Sequence, residues 1–195
     1  MRKLVYLLLV LLVPSIFATP LPNKTNTKPK NFICVTDIKY DLKYSKHNKF
    51  GPALYRKHAK LYMTKELHVA LSKANEQLAP LGLELLIYDA YRPFSATVKI
   101  WNSVVGQKGN VELVAPPQLG SDHNRGTAVD LTIVKKGTYT SIIPAEFDKI
   151  PWTTSPEIEL LKSTMHTCGL INYKKEWWHY SLPNSKDFPI CNFKN

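Results

Sequence analysis

The sequence predicts an α+β fold: a single domain with helices packed on one antiparallel sheet. Three observations lead there. Apolar residues recur at helical spacing in some stretches and run together or alternate in others. The two kinds of stretch are mixed, without the strict strand–helix alternation of a parallel sheet. The chain has 195 residues, which suits one hydrophobic core and does not call for two. Hydrophobic residues make up 44% and charged residues 21%, ordinary for a globular chain, so wholesale disorder is excluded.

Residues 1–18 read as a secretory signal. Arg2 and Lys3 form a positive start, Leu4 to Val13 is apolar, and Ser15 to Ala18 ends in a small residue suited to cleavage. The apolar run is about ten residues, short of the roughly 20 that a spanning helix needs, so no stable membrane insertion is expected after cleavage. Residues 19–31 are polar and proline-rich and read as a flexible leader. The folded domain is expected over 32–195.

Phe32 to Val35 begins that domain as a strand, and Asp37 to Tyr44 alternates polar with apolar residues, as an extended segment does. Thr64 to Leu78 is the clearest helix. Leu67, Ala70, Leu71, Ala74 and Leu78 form one stripe, Thr64 is the N-cap, and Pro80 and Gly82 stop it. Leu83 to Tyr88 reads as a buried strand ending in Asp-Ala-Tyr-Arg-Pro, residues 89–93. A helix follows from Ser95 to about Val105. After the loop Gly106–Gly120 comes Ser-Asp-His-Asn-Arg-Gly-Thr-Ala-Val-Asp at 121–130, then the strand Leu-Thr-Ile-Val. Ser155, Pro156 and Glu157 open a last helix and Gly169 closes it. Leu170 to Tyr180 carries Glu-Trp-Trp-His, 176–179, read as part of a strand.

The net charge of +11 and pI near 9.5 raise the question of nucleic acid. The lysines are scattered, with no block of five or more, so no nucleic-acid partner is expected. Chemistry concentrates instead in the two motifs with histidine. His123, Asp130 and His179 offer two imidazoles and a carboxylate, a ligand set for a catalytic zinc that keeps a position open for water; Fe(II) shares that set. Alone, a His and an Asp seven residues apart are a weak signal; the Glu-x-x-His element strengthens it. Glu176 is the candidate base for the zinc-bound water. On a regular strand, 176 and 179 would face opposite ways, so a bend must join them. Trp177 and Trp178 would exclude water or pack the core. Arg92 is the candidate to stabilise a carbonyl oxygen that becomes negative. Ser121 would bind substrate or shape the turn.

Asp-Ala-Tyr-Arg-Pro at 89–93, Ser-x-His-x-x-Gly-x-Ala-x-Asp at 121–130 and Glu-Trp-Trp-His at 176–179, in that order, resemble the zinc D-alanyl-D-alanine dipeptidases of the vancomycin-resistance type. These belong with the D,D-peptidases related to the D-alanyl-D-alanine carboxypeptidases. The likeness runs from about Asp37 to Leu182. It implies one zinc per chain on His123, Asp130 and His179, with Glu176 as base and Arg92 on the scissile carbonyl. It also places Ser121 near the substrate and Asp148 by the substrate's free amine. The expected reaction is hydrolysis of D-Ala-D-Ala to two D-alanines, the dipeptide coming from peptidoglycan.

Two features depart from the cytoplasmic members of that group. The signal segment implies a periplasmic or secreted enzyme that trims wall-derived dipeptide. Cys34, Cys168 and Cys191 belong to no motif, and an oxidising compartment would allow one disulfide, Cys168–Cys191, with Cys34 able to replace either. Two alternatives stay open. One is a D,D-carboxypeptidase or endopeptidase on peptidoglycan stem peptides, distinguished by the loops 106–120 and 135–152. The other is a non-catalytic, metal-dependent wall-binding module.

Overall fold

The computed structural model describes residues 21–56, 58–106 and 114–194. The expected signal segment lies outside the described residues, as does part of the 106–120 loop. The elements in chain order are β1 (Lys24–Thr25), β2 (Phe32–Cys34), β3 (Tyr62–Thr64), α1 (Lys65–Leu78), β4 (Leu83–Asp89) and α2 (Phe94–Gly106). Then come β5 (Ala128–Lys135), α3 (Pro156–Thr167), β6 (Ile171–Asn172), β7 (His179–Ser181) and β8 (Ile190–Cys191). The main sheet has the order β4-β5-β7-β6 with every neighbouring pair antiparallel, so the α+β expectation holds.

Strands β4 and β5 are apolar because both of their faces are covered. Leu85, Ile87, Leu131 and Ile133 share a core with Leu67, Leu71 and Leu78 of α1 and with Ile158, Leu161 and Met165 of α3. Leu86, Tyr88 and Val134 pack on the opposite face beside Phe147. Side chains alternate along a strand, so Asp130, between Val129 and Leu131, points away from the two helices.

The helix boundaries follow the caps. Thr64 accepts from the Leu67 N–H at 3.3 Å and Ser155 from the Ile158 N–H at 3.3 Å. Helix α2 begins at Phe94, directly after Pro93.

Four expectations need correction. The leader is not wholly free: Lys24–Thr25 pairs in parallel with Ile190–Cys191 of the C-terminal tail. Edge backbone groups on the folded body give it a partner that composition does not reveal. Asp37–Tyr44 is not extended throughout: Tyr40 bridges to Ile87, but a 3-10 turn at Lys43–Ser45 takes up its end. The Glu-Trp-Trp-His element is a turn leading into β7. No disulfide forms: Cys34 is exposed, Cys168 half-buried and Cys191 buried, all three as free thiols.

Candidate metal centre and peptide pocket

Register builds the centre. Asp130 of β5 sits directly opposite His179 of β7, so their side chains stand together on one face. On the other side of β5, regular pairing would place Tyr88 against Asp130. A bulge between Ile87 and Asp89 inserts one residue, and Asp89 opposes Asp130 instead. Three polar residues thus line up across β4, β5 and β7 on the face away from α1 and α3.

His123 arrives from a short 3-10 turn, Asp122–Arg125, capped by Ser121, whose Oγ accepts from the His123 N–H at 3.2 Å. Gly126 ends the turn with φ 65, and a Cβ there would lie 2.4 Å from the Phe32 ring. Both the backbone and the space require glycine. Asn124, fully buried, ties the turn to the Arg92 segment. Its Nδ2 donates to Arg92 O and to Thr97 Oγ1, each at 2.8 Å, and its Oδ1 accepts from the Ser121 N–H at 2.9 Å.

The three candidate ligand atoms face one another. His123 Nε2 is 3.2 Å from His179 Nδ1 and 3.3 Å from Asp130 Oδ1, and His179 Nδ1 is 3.0 Å from Asp130 Oδ1. Zinc bonds of about 2.0–2.1 Å on tetrahedral corners set ligand atoms roughly 3.3–3.4 Å apart, close to these separations. The tautomer also fits. His123 Nδ1 lies 2.7 Å from Ala90 O, and a carbonyl only accepts, so Nδ1 carries the proton and Nε2 offers its lone pair. Electrostatics agree. Burial opposes the Asp130 charge, but His123 and the imidazole hydrogen bonds outweigh it and hold the carboxyl well below the usual range. Burial pulls His123 down, and the Asp130 carboxylate raises it overall. The cluster favours a positive charge at its middle. The residues present fit a divalent ion of the zinc type.

Glu176 reaches the centre through the turn: its N–H donates to Tyr173 O at 2.9 Å, and the His179 N–H donates to Glu176 O at 3.3 Å. This is the bend that the sequence demands. Glu176 Oε2 lies 3.8 Å from His179 Nδ1. Burial pushes its carboxyl up to about 7, with His179 pulling down and Asp130 and Asp148 adding to the rise. Trp178 borders the pocket, while Trp177 is buried in the core, with the two rings edge to face at 5.5 Å.

Arg92 is clamped by Asp89. Its Nε and Nη2 stand 2.9 and 2.8 Å from Asp89 Oδ2, and its Nη2 lies 3.8 Å from Asp130 Oδ2. Asp89 Oδ1 accepts from Tyr55 Oη and, at 3.0 Å, from the Ala90 N–H. Burial works against the guanidinium charge, and Asp89 more than offsets it. Asp148 comes from a distant loop with φ 65, and its Oδ2 accepts from Tyr44 Oη at 3.2 Å. Burial raises its pKa, Lys49 lowers it, and the balance is upward.

Arg92, Ser121, His123, Asp130, Asp148, Glu176 and His179 therefore border one cavity of about 410 Å³. All seven residues singled out in the sequence are brought together. Asp89, Tyr44, Tyr55, Phe50 and Asn124 were missed. Asp89 had one legible signal, its place at the head of the Asp-Ala-Tyr-Arg-Pro motif. Asn124 lies inside the 121–130 motif at a position the motif leaves open, and Tyr44, Tyr55 and Phe50 come from segments with no pattern to mark them.

Residues 27–194 match the model of the peptidase M15 family, described as D-Ala-D-Ala dipeptidase. The chain belongs to this family. The D-alanyl-D-alanine dipeptidase of Escherichia coli K12 is 31% identical over 166 residues, covering 79% of this chain and 83% of that one. The corresponding enzyme of Streptomyces coelicolor is 29% identical, covering 80% and 95%, and that of Enterococcus faecium 28%, covering 80% and 94%. A solved LD-carboxypeptidase, LdcB, superposes with a TM-score of 0.57 at 20% identity, covering 83% of this chain and 72% of that one. That likeness speaks for the fold alone. Membership in the dipeptidase family makes the protein a hydrolase, and the family match begins inside the segment expected to be a leader.

Proposed function

We propose that the protein is a zinc-dependent peptidase that hydrolyses D-Ala-D-Ala to two D-alanines. The triangle of His123, Asp130 and His179, with Glu176 and Arg92 on its rim, carries this reading. A divalent ion held there would polarise the peptide carbonyl and lower the pKa of a water toward neutrality.

The side chains supply the rest. Glu176 takes a proton from the attacking water as the C–O bond forms, then delivers it to the leaving amine as the C–N bond breaks. Its raised pKa suits both halves of that cycle. Arg92, with its Nε and Nη2 both held by Asp89 Oδ2, faces the carbonyl oxygen as it becomes negative. It is oriented before substrate arrives, so no reorganisation is needed at the transition state. Asp148, with Tyr44 behind it, receives the free ammonium of the dipeptide. Ser121, which borders the same cavity, contacts the bound dipeptide. We further propose that the protein is exported and acts on dipeptide released from peptidoglycan.

The test is release of free D-alanine by the protein loaded with one equivalent of zinc. D-Ala-D-Ala is compared with L-Ala-L-Ala and with a pentapeptide ending in D-Ala-D-Ala, with Glu176→Ala as control. Turnover of the D,D-dipeptide alone, lost in the variant, is the expected result. Cleavage of the pentapeptide would move the protein to the carboxypeptidase side. Zinc binding without any turnover would leave a binding module. N-terminal sequencing of the exported protein, expected to begin near Thr19, tests the location.

A further inference from the structure

We propose that Lys49 is a positioning residue: it holds Asp148 from behind so that the Asp148 carboxylate is presented to a free amine in the pocket. The inference rests on the reading of Asp148 given above. Tyr44 and Asp148 border two cavities, the main one of about 410 Å³ and a second of about 350 Å³, whereas Lys49 borders only the second. Asp148 is thus part of a partition, and Lys49 reaches it from the outer side.

The contact is double. Lys49 Nζ lies 2.9 Å from Asp148 Oδ1 and donates to Asp148 O at 2.9 Å. One ammonium therefore grips both the side chain and the backbone of the same residue. Asp148 needs that grip, because it holds φ 65 without being glycine. Tyr44 Oη holds the other carboxylate oxygen at 3.2 Å. With both oxygens and the carbonyl tied, the carboxylate has one orientation.

Lys49 is itself on a tight base. Asn48 and Gly51 exchange backbone hydrogen bonds at 3.0 and 2.9 Å, and Asn48 Oδ1 accepts from the Phe50 N–H at 2.9 Å. The turn sends Phe50 to the main cavity and Lys49 behind the partition. The two other lysines bordering the outer cavity have their own partners, Lys43 on Asp41 and Lys149 on Glu146. Lys49 is the one directed to Asp148.

The test is calorimetric binding of D-Ala-D-Ala to the zinc-loaded Glu176→Gln protein, in which slowed hydrolysis lets affinity be read. Lys49→Ala in that background should weaken binding about fivefold, the scale of a half-exposed charged hydrogen bond. Lys49→Arg should restore most of it. Lys49→Ala combined with Asp148→Asn should bind no more weakly than Asp148→Asn alone, because Lys49 acts through Asp148. Lys49 is half-exposed, so the variant should fold, and a cooperative thermal transition verifies this. Unchanged binding in Lys49→Ala, or additive losses in the double variant, would overturn the inference. Tighter binding would overturn it too, by making Lys49 a competitor of the substrate amine. Failure of the Glu176→Gln protein to bind the dipeptide, with no turnover by the wild type, is a different signature. It removes the function itself, and with it the subsite that Lys49 serves.

Discussion

Replacing Asp89 by asparagine tests whether Arg92 is oriented by a buried carboxylate. Asp89 is 0% exposed, and its Oδ2 takes both Nε and Nη2 of Arg92. Asparagine keeps the shape but removes the charge. Its amide can accept on one edge only, so either Arg92 or Tyr55 loses its partner. The next carboxylate to Arg92 is Asp130, at 3.8 Å, and that residue is committed to the imidazoles. Removing one partner of a buried ion pair costs about 3–5 kcal/mol, and the acceptor that asparagine keeps reduces this to roughly 2–4 kcal/mol. For a domain of this size that is a fall in Tm of about 5–15 °C. Urea unfolding of wild type, Asp89→Asn, Arg92→Met and the double variant measures it. The double variant should be more stable than Asp89→Asn alone, because it no longer buries an unpaired guanidinium. Hydrolysis by Asp89→Asn should fall by about tenfold to a hundredfold, chiefly in kcat, as Arg92 loses its fixed position. An Asp89→Asn protein that unfolds within about 0.5 kcal/mol of wild type would refute the reasoning, since that is the scale of an ordinary surface change.

Other outcomes follow from the same geometry. Gly126→Ala should lose about 2–4 kcal/mol by urea unfolding, from the left-handed backbone and the collision with Phe32. Zinc at about a hundredfold over its Kd should stabilise the wild type by about 2.7 kcal/mol in thermal unfolding, and this gain should vanish in His123→Ala or Asp130→Asn. Glu176→Gln should keep zinc, read by metal analysis, while its hydrolysis rate drops by about 10²–10⁴. Thiol titration should find three free cysteines after unfolding; in the native protein Cys34 should react first and Cys191 only on unfolding.

Local chemistry determined much of this protein. Helices α1 and α3 were legible because caps, stripe and stop signals lie within a few residues of one another. Strands β4 and β5 were legible because a strand covered on both faces must be apolar throughout. The metal-ligating types were legible because zinc chemistry restricts them to a few side chains; the first motif keeps His123 and Asp130 seven residues apart, and the second pairs His179 with Glu176. Only the tertiary structure decided how they meet. A bulge in β4 trades Tyr88 for Asp89 opposite Asp130, and no propensity marks a bulge that pairing between two distant strands creates. Lys24–Thr25 joins the fold through backbone bonds to Ile190–Cys191, which carry no side-chain signature. Tyr44, Lys49 and Asp148 assemble from loops about a hundred residues apart in the chain. Loop placement depends on what the loop packs against, and that information is spread over the whole sequence rather than held in the loop.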